Sequence, residues 1–235
     1  MKVALAISGK FRNFKHAFPR MKQYLIDPLK PDIYFYGHPN KEGMDECELF
    51  IQDELQPIDY RLYEYTEDHA QELRSKYAKR DYSRKAPTTS LDLFLAQYYN
   101  LKELSNLITT NPYGYDLVIR SRCDVFYNRE LSPPELQDAL DGKVVIPNRW
   151  DFSWVSGIGC SDVFCIANQE NFNKYASIID HFDEYYQNGC LFHHESVTGW
   201  HIREQKLNRV AYESPFEFEY PADLAHIGDQ NRHNY

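Results

Sequence analysis

Tyr115–Tyr127, YDLVIRSRCDVFY, concentrates the chemistry-bearing side chains of this 235-residue chain. Leu117, Val118 and Ile119 form the apolar run of a buried strand, and Arg120, Arg122 and Asp124 follow at its carboxyl end. In open α/β sheets ligands sit in the crevice beyond the carboxyl ends of the strands. Two guanidiniums there suit a diphosphate, and a carboxylate beside them suits a divalent metal ion or a sugar hydroxyl. Positions 120, 122 and 124 alternate, so a continuous strand presents all three on one face. A solvated ion-pair ladder on an edge strand is the other reading, and such ladders contribute little.

The elements needed to position these groups are legible on either side. Val3–Ser8 predicts a buried strand closed by Gly9. A helix from about Asn13 to Leu29 follows, with Phe14, Ala17, Phe18, Met21 and Leu25 at helical spacing. Further strands are predicted at Ile33–Gly37 and Tyr60–Tyr65, with a short helix near Asp45–Leu55 between them. Ser90–Ile108 reads as a core helix through Leu91, Phe94, Leu95, Tyr98, Leu101, Leu104 and Ile108. Beyond the central strand, the strands Val144–Pro147, Ser161–Ala167 and Arg209–Tyr212 alternate with helices at Phe172–Tyr186 and Glu195–Gln205. This rhythm predicts one α/β domain over residues 1–235: a mixed, mostly parallel sheet with helices on both faces and an irregular tail from about 214. Lys76–Pro87 carries Lys76, Lys79, Arg80, Arg84 and Lys85 against Asp81 alone, which reads either as a mobile flap over phosphates or as a solvated linker.

Composition narrows the function classes. A net charge of −9 argues against a general nucleic-acid binder. Aromatics at 15%, with 19 Tyr, suit a protein that handles polyhydroxylated ligands as well as one with a wide core. The five cysteines form no CxxC pair and read as buried free thiols. MKVALAIS turns polar too soon for a signal peptide, and no run reaches a membrane span, which predicts a soluble, cytoplasmic protein with at most peripheral membrane contact. The chain has no Walker phosphate loop, dinucleotide glycine fingerprint, nucleophile elbow or H-E-x-x-H pair, so any phosphate strategy is a different one.

The order SGKFRNF, SLDLFLAQYYNLKELSNL, YDLVIRSRCDVFY, SDVFCIAN and HHESVTGWHIREQKLNRV resembles the GT-A-type glycosyltransferases of the WavE-like lipopolysaccharide and capsule group, over most of residues 2–212. The resemblance implies a GT-A-like fold and transfer of a sugar from a nucleotide diphosphate donor to a glycan or lipid-linked acceptor. It implies that Ser8, Gly9, Lys10 and Arg12 hold the donor's base and ribose. Asp124 falls at the family's metal-binding aspartate, where Mn²⁺ or Mg²⁺ would bridge to the diphosphate. The family's two aspartates flanking one residue are replaced here by Arg122-Cys123-Asp124. One carboxylate can still hold an ion through the diphosphate, or Arg120, Arg122 and the basic segment can neutralise the leaving group alone.

Sugar transfer asks for leaving-group stabilisation and, where configuration inverts, for a carboxylate that takes the acceptor's proton. Glu195 is the candidate base: it opens a helix and falls where the resembling family has an acidic residue. A helix-dipole glutamate is the alternative. Asp162 precedes a buried strand and could orient donor or acceptor sugar, or cap the strand. Asp151 with Trp150 and Trp154 could contact a sugar ring. His226 is the candidate for the late histidine that some GT-A enzymes supply to the metal. Two rival classes remain: a non-catalytic sugar-nucleotide or glycan-binding protein, and a metal-dependent phosphate-ester hydrolase.

Overall fold

The structure, a computed structural model, describes residues 1–39, 43–83, 90–149 and 157–218. A seven-stranded sheet runs in the order β3-β2-β1-β4-β7-β6-β8. Its strands are β1 (Val3–Lys10), β2 (Asp32–His38), β3 (Asp59–Leu62), β4 (Leu117–Arg122), β6 (Lys143–Pro147), β7 (Phe164–Ala167) and β8 (Asn208–Tyr212). β1, β2, β3 and β4 pair in parallel, and β6 pairs in parallel with β8. β7 runs against both β4 and β6. The chain winds outward one way from β1 to β3 and the other way from β4. The β1/β4 boundary is therefore the switch point at which such sheets open a crevice.

Both faces of the sheet are covered, as the continuous apolar runs of β1 and β4 require. Val3, Leu5, Ile7, Leu117 and Ile119 face one core, under helices α1 (Phe14–Met21), α2 (Met44–Phe50) and α5 (Pro133–Leu140). Ala4, Ala6 and Val118 face the other core, under α3 (Glu67–Tyr77), α4 (Leu91–Thr109), α6 (Gln169–Ala176) and α7 (Ile178–Gln187). The two alanines let α4 lie close across β1. The helix predicted at 172–186 is thus two helices broken at Ser177. The one predicted from 13 to 29 widens into a π turn at Lys22–Ile26 before ending at Leu29.

Two expectations change. The central strand stops at Arg122, because pairing with β7 ends at Ser121 and pairing with β1 at Arg122, and Asp124 lies in the following turn. The tail expected from 214 begins as β9 (Phe216–Glu217), which pairs antiparallel with β5 (Phe126–Tyr127) just past that turn. The basic segment is docked as far as it is described. Arg80 donates to Asp183 from Nε (2.8 Å) and Nη2 (3.1 Å), and the Tyr82 hydroxyl donates to the same carboxylate at 2.6 Å. The Tyr82 ring is buried against Phe182, Tyr186 and Phe192, packing that the run of charges conceals. Arg84 and Lys85 lie outside the described residues. All five thiols are buried and unpaired with one another, and among the described residues no helix is long and apolar enough to cross a membrane.

His201, on α8 (His194–Glu204), is enclosed in the core between the Tyr185 hydroxyl (2.9 Å) and the Lys174 carbonyl (2.7 Å). Burial pushes its pKa, and that of His38, down to about 4. Both rings take a proton more readily when unfolded, near the ordinary value of 6.5. The contribution of these two rings to stability should therefore be flat above pH ~6.5 and fall between ~6.5 and ~4 by about 1.4 kcal/mol per pH unit for each ring. Urea midpoints across that range measure the slope, and His201→Gln should remove one ring's share; an unchanged slope would place the acid sensitivity elsewhere.

Candidate functional site

The carboxyl ends of β1 and β4 open into a cleft of about 370 Å³, lined also by α4 and by the start of α8. Local chemistry shapes its rim. Gly9 and Gly37 face each other across the β1–β2 ladder, and a Cβ on Gly37 would stand 2.1 Å from the Gly9 carbonyl oxygen. Gly9 also has φ 131°, which a side chain would strain. Phe11 is buried edge-on against Phe14 (5.3 Å) and Phe50 (5.5 Å), and its N–H donates to the His38 carbonyl at 2.8 Å. That anchor aims the next residue, Arg12, across the cleft.

Arg12 and Arg122 meet on one carboxylate. Arg12 donates to Asp124 Oδ2 from Nε (2.9 Å) and Nη2 (2.8 Å). Arg122 donates to Oδ1 from Nε (2.9 Å) and to Oδ2 from Nη2 (2.6 Å). The Asp124 side chain is only 8% exposed. Burial opposes its ionisation, but the two guanidiniums outweigh that and hold its pKa below the ordinary carboxylate value. Two positive charges share one negative, which leaves the centre of the cleft cationic. The Phe218 ring stands 5.2 Å from the Arg122 guanidinium and closes that side.

Arg120 has a different place from its strand neighbours. It is fully enclosed, with Nη1 donating to the Asp162 carbonyl, and its Nε and Nη2 have no partner among the described residues. It lines the floor of the cleft, where Arg122 projects at the rim. Asp162 stands above it and accepts from the Gln97 amide of α4. Burial works against the Asp162 charge, while His194, Arg122, Arg120 and Gln97 together keep the carboxyl below its usual pKa. His194 is itself pushed down to about 4 by burial, so at neutral pH the guanidiniums and the amide carry that effect.

Glu195 follows in the first turn of α8, and a carboxylate oxygen lies 2.9 Å from His193 Nδ1. Burial, with Asp162 nearby, raises its pKa despite His193. The turn is fixed by the Tyr98 hydroxyl donating to the His194 carbonyl at 2.8 Å and the Cys160 N–H donating to the Glu195 carbonyl at 3.0 Å. Gly199 lets the Ile158–Gly159 backbone lie against α8, because a Cβ there would sit 1.7 Å from the Ile158 oxygen.

The cleft thus brings together Ser8, Gly9, Lys10, Arg12, Arg120, Arg122, Asp124, Asp162 and Glu195 of the sequence candidates. Trp150, Asp151, Trp154 and His226 lie outside the described residues. His38, Gln97, Asn100 and Phe218 also line it and escaped the sequence reading. Gln97 and Asn100 are one helical turn apart within an otherwise apolar stripe, and His38 ends the strand beside β1; both were usable signals. A divalent ion at Asp124 does not fit the described residues. Both carboxylate oxygens already accept from guanidiniums, and no group of three His, Cys, Asp or Glu among the described residues could hold an ion.

No protein-family model and no curated protein sequence matches the chain. Among solved structures, a Desulfovibrio desulfuricans G20 protein described as a nucleotide-diphospho-sugar transferase is similar over 91% of this chain and 80% of its own. The identity is 12% and the TM-score 0.50. Mouse xyloside xylosyltransferase 1 in its apo form is similar over 89% of this chain and 85% of its own, at 10% identity and a TM-score of 0.46. The apo-form glycosyltransferase GlyE of Streptococcus pneumoniae TIGR4 aligns with all of this chain, which spans 51% of it, at 13% identity and a TM-score of 0.49. At 12% identity the likeness to the Desulfovibrio protein is one of fold alone, and the fold is of the GT-A type.

Asp124→Asn should lower stability by about 2–3 kcal/mol, because it leaves two guanidiniums side by side without their counter-charge. Urea denaturation measures this, and high salt should recover part of it; a loss under about 0.5 kcal/mol would mean the shared pair is mere surface decoration. Gly199→Ala should cost about 1–3 kcal/mol through the forced shift of the Ile158 backbone, read from the same denaturation curves.

Proposed function

We propose that the chain is a nucleotide-sugar-dependent glycosyltransferase that moves a sugar from a nucleoside diphosphate to a glycan or lipid-linked acceptor. The observation that carries this is the pair of guanidiniums on one buried carboxylate at the switch point of a GT-A-type sheet. Guanidiniums with N–H groups to spare and an excess positive charge are matched to a diphosphate. The WavE-like motifs extend the reading to surface-polysaccharide synthesis.

In the reaction, the diphosphate lies across Arg12 and Arg122, with the base toward the β1 and β2 tips and the sugar toward Asp162 and Glu195. Negative charge grows on the phosphate oxygen as its bond to the anomeric carbon lengthens, and the preorganised guanidiniums stabilise that charge. In an inverting transfer the acceptor hydroxyl gives its proton to Glu195 as its oxygen bonds to the anomeric carbon. The nucleoside diphosphate then departs. Asp162, held by Gln97, accepts from sugar hydroxyls and fixes the ring's orientation. No step runs through a metal ion.

Calorimetry with nucleoside diphosphates tests the clamp. Arg12→Gln and Arg122→Gln should each weaken binding by about 1.5–3 kcal/mol, roughly ten- to a hundredfold. Chelation with EDTA should leave wild-type affinity unchanged. Glu195→Gln should keep donor binding and lose transfer by about 10²–10⁴-fold. Nucleotide affinity indifferent to both arginines would move the site elsewhere, and binding without any transfer would mark a sugar-nucleotide binding protein.

A further inference from the structure

We infer that the donor carries an uncharged sugar, and that the cleft turns away nucleotide sugars bearing a carboxylate. The inference rests on the nucleotide-sugar reading and names the substrate class of that site. Arg12 and Arg122 meet on Asp124, and Asp162 and Glu195 form an acidic end beside α4, where Gln97 reaches Asp162 and Tyr98 reaches the His194 carbonyl. A nucleotide sugar with its diphosphate on the two guanidiniums would set its sugar beside the two carboxylates.

Charge balance decides what that sugar can be. Among the described lining residues, Arg12, Arg120 and Arg122 face Asp124, Asp162 and Glu195, and Lys10 adds one further positive charge. A diphosphate already brings more negative charge than this surplus. The guanidinium nearest the acidic end, Arg120, is sealed under the floor with its charge set against Asp162, so it cannot swing out to meet a carboxylate. A polar group nevertheless awaits a ligand here. Asn100 Nδ2 is buried, lines the same cleft and lacks a partner among the described residues. Hydroxyl oxygens and base carbonyls can accept from such a donor, and sugar hydroxyls can donate to Asp162 and Glu195 in return. A uronate in the same place would set carboxylate against carboxylate.

The test is calorimetric titration of the purified protein with UDP, UDP-glucose and UDP-glucuronate, and with GDP, GDP-mannose and GDP-mannuronate. For the nucleotide that binds, the hexose conjugate should bind at least as well as the bare diphosphate, and the uronate about tenfold more weakly, from like-charge juxtaposition. Asp162→Asn and Glu195→Gln, each checked for an unchanged melting curve, should narrow that gap to about threefold by raising uronate affinity. If Asp162→Asn melts early, Glu195→Gln alone decides. A uronate that binds wild type as well as the hexose, or a gap that the folded variants leave intact, overturns the inference while nucleotide binding stands. If none of the six compounds binds, the nucleotide-sugar reading falls and this one with it.

Discussion

One shared carboxylate governs the architecture of the cleft. Asp124 is nearly buried, and an isolated charge in that position would be too costly to keep ionised. Arg12 and Arg122 make it affordable, each with two N–H groups directed at it. The reverse also holds: two guanidiniums drawn together by strand pairing would repel without the carboxylate between them. The three groups are therefore stable only as a set, and the set is one positive charge out of balance. A fold that holds such an imbalance in place, with its donors already aimed, has done the reorganisation that a charged ligand would otherwise require.

The rest of the structure serves that geometry by close backbone approach. Gly9 against Gly37 brings the tips of β1 and β2 together, and the Phe11 ring pins the turn that carries Arg12. Gly199 lets the chain from Ile158 to Asp162 lie against α8, so that Asp162 and Glu195 share one end of the cleft. Tyr98 and Gln97, neighbours on α4, reach the helix start and the carboxylate respectively. α4 thus supplies both the core and the wall of the site.

Much of the framework is legible from residue pattern. The runs at Val3–Ile7 and Leu117–Ile119 are buried on both sides, and such strands announce themselves without alternation. Asp124 is legible as a carboxylate beyond an apolar strand. Its bond to Arg12 is not, because 112 residues separate them and only the strand order joins them. His38 enters the cleft for the same reason: β2 lies beside β1, which local pattern does not disclose. Arg120 looked equivalent to Arg122 by spacing, yet the antiparallel β7 and the chain before it cover one and leave the other at the rim. The two-residue strand β9 is too short to carry a periodic signal.

Three stretches far apart in the chain close on the same point: the turn after β1, the turn after β4, and β9 with Phe218. That arrangement sets an order of assembly. A nascent chain emerging from the ribosome can pair β1 with β2 early, but it holds no cationic centre until β4 has been made. Its last wall waits until synthesis has passed Phe218. A chain stopped between Asp124 and Phe218 would hold both guanidiniums and their carboxylate without the wall that Phe218 adds.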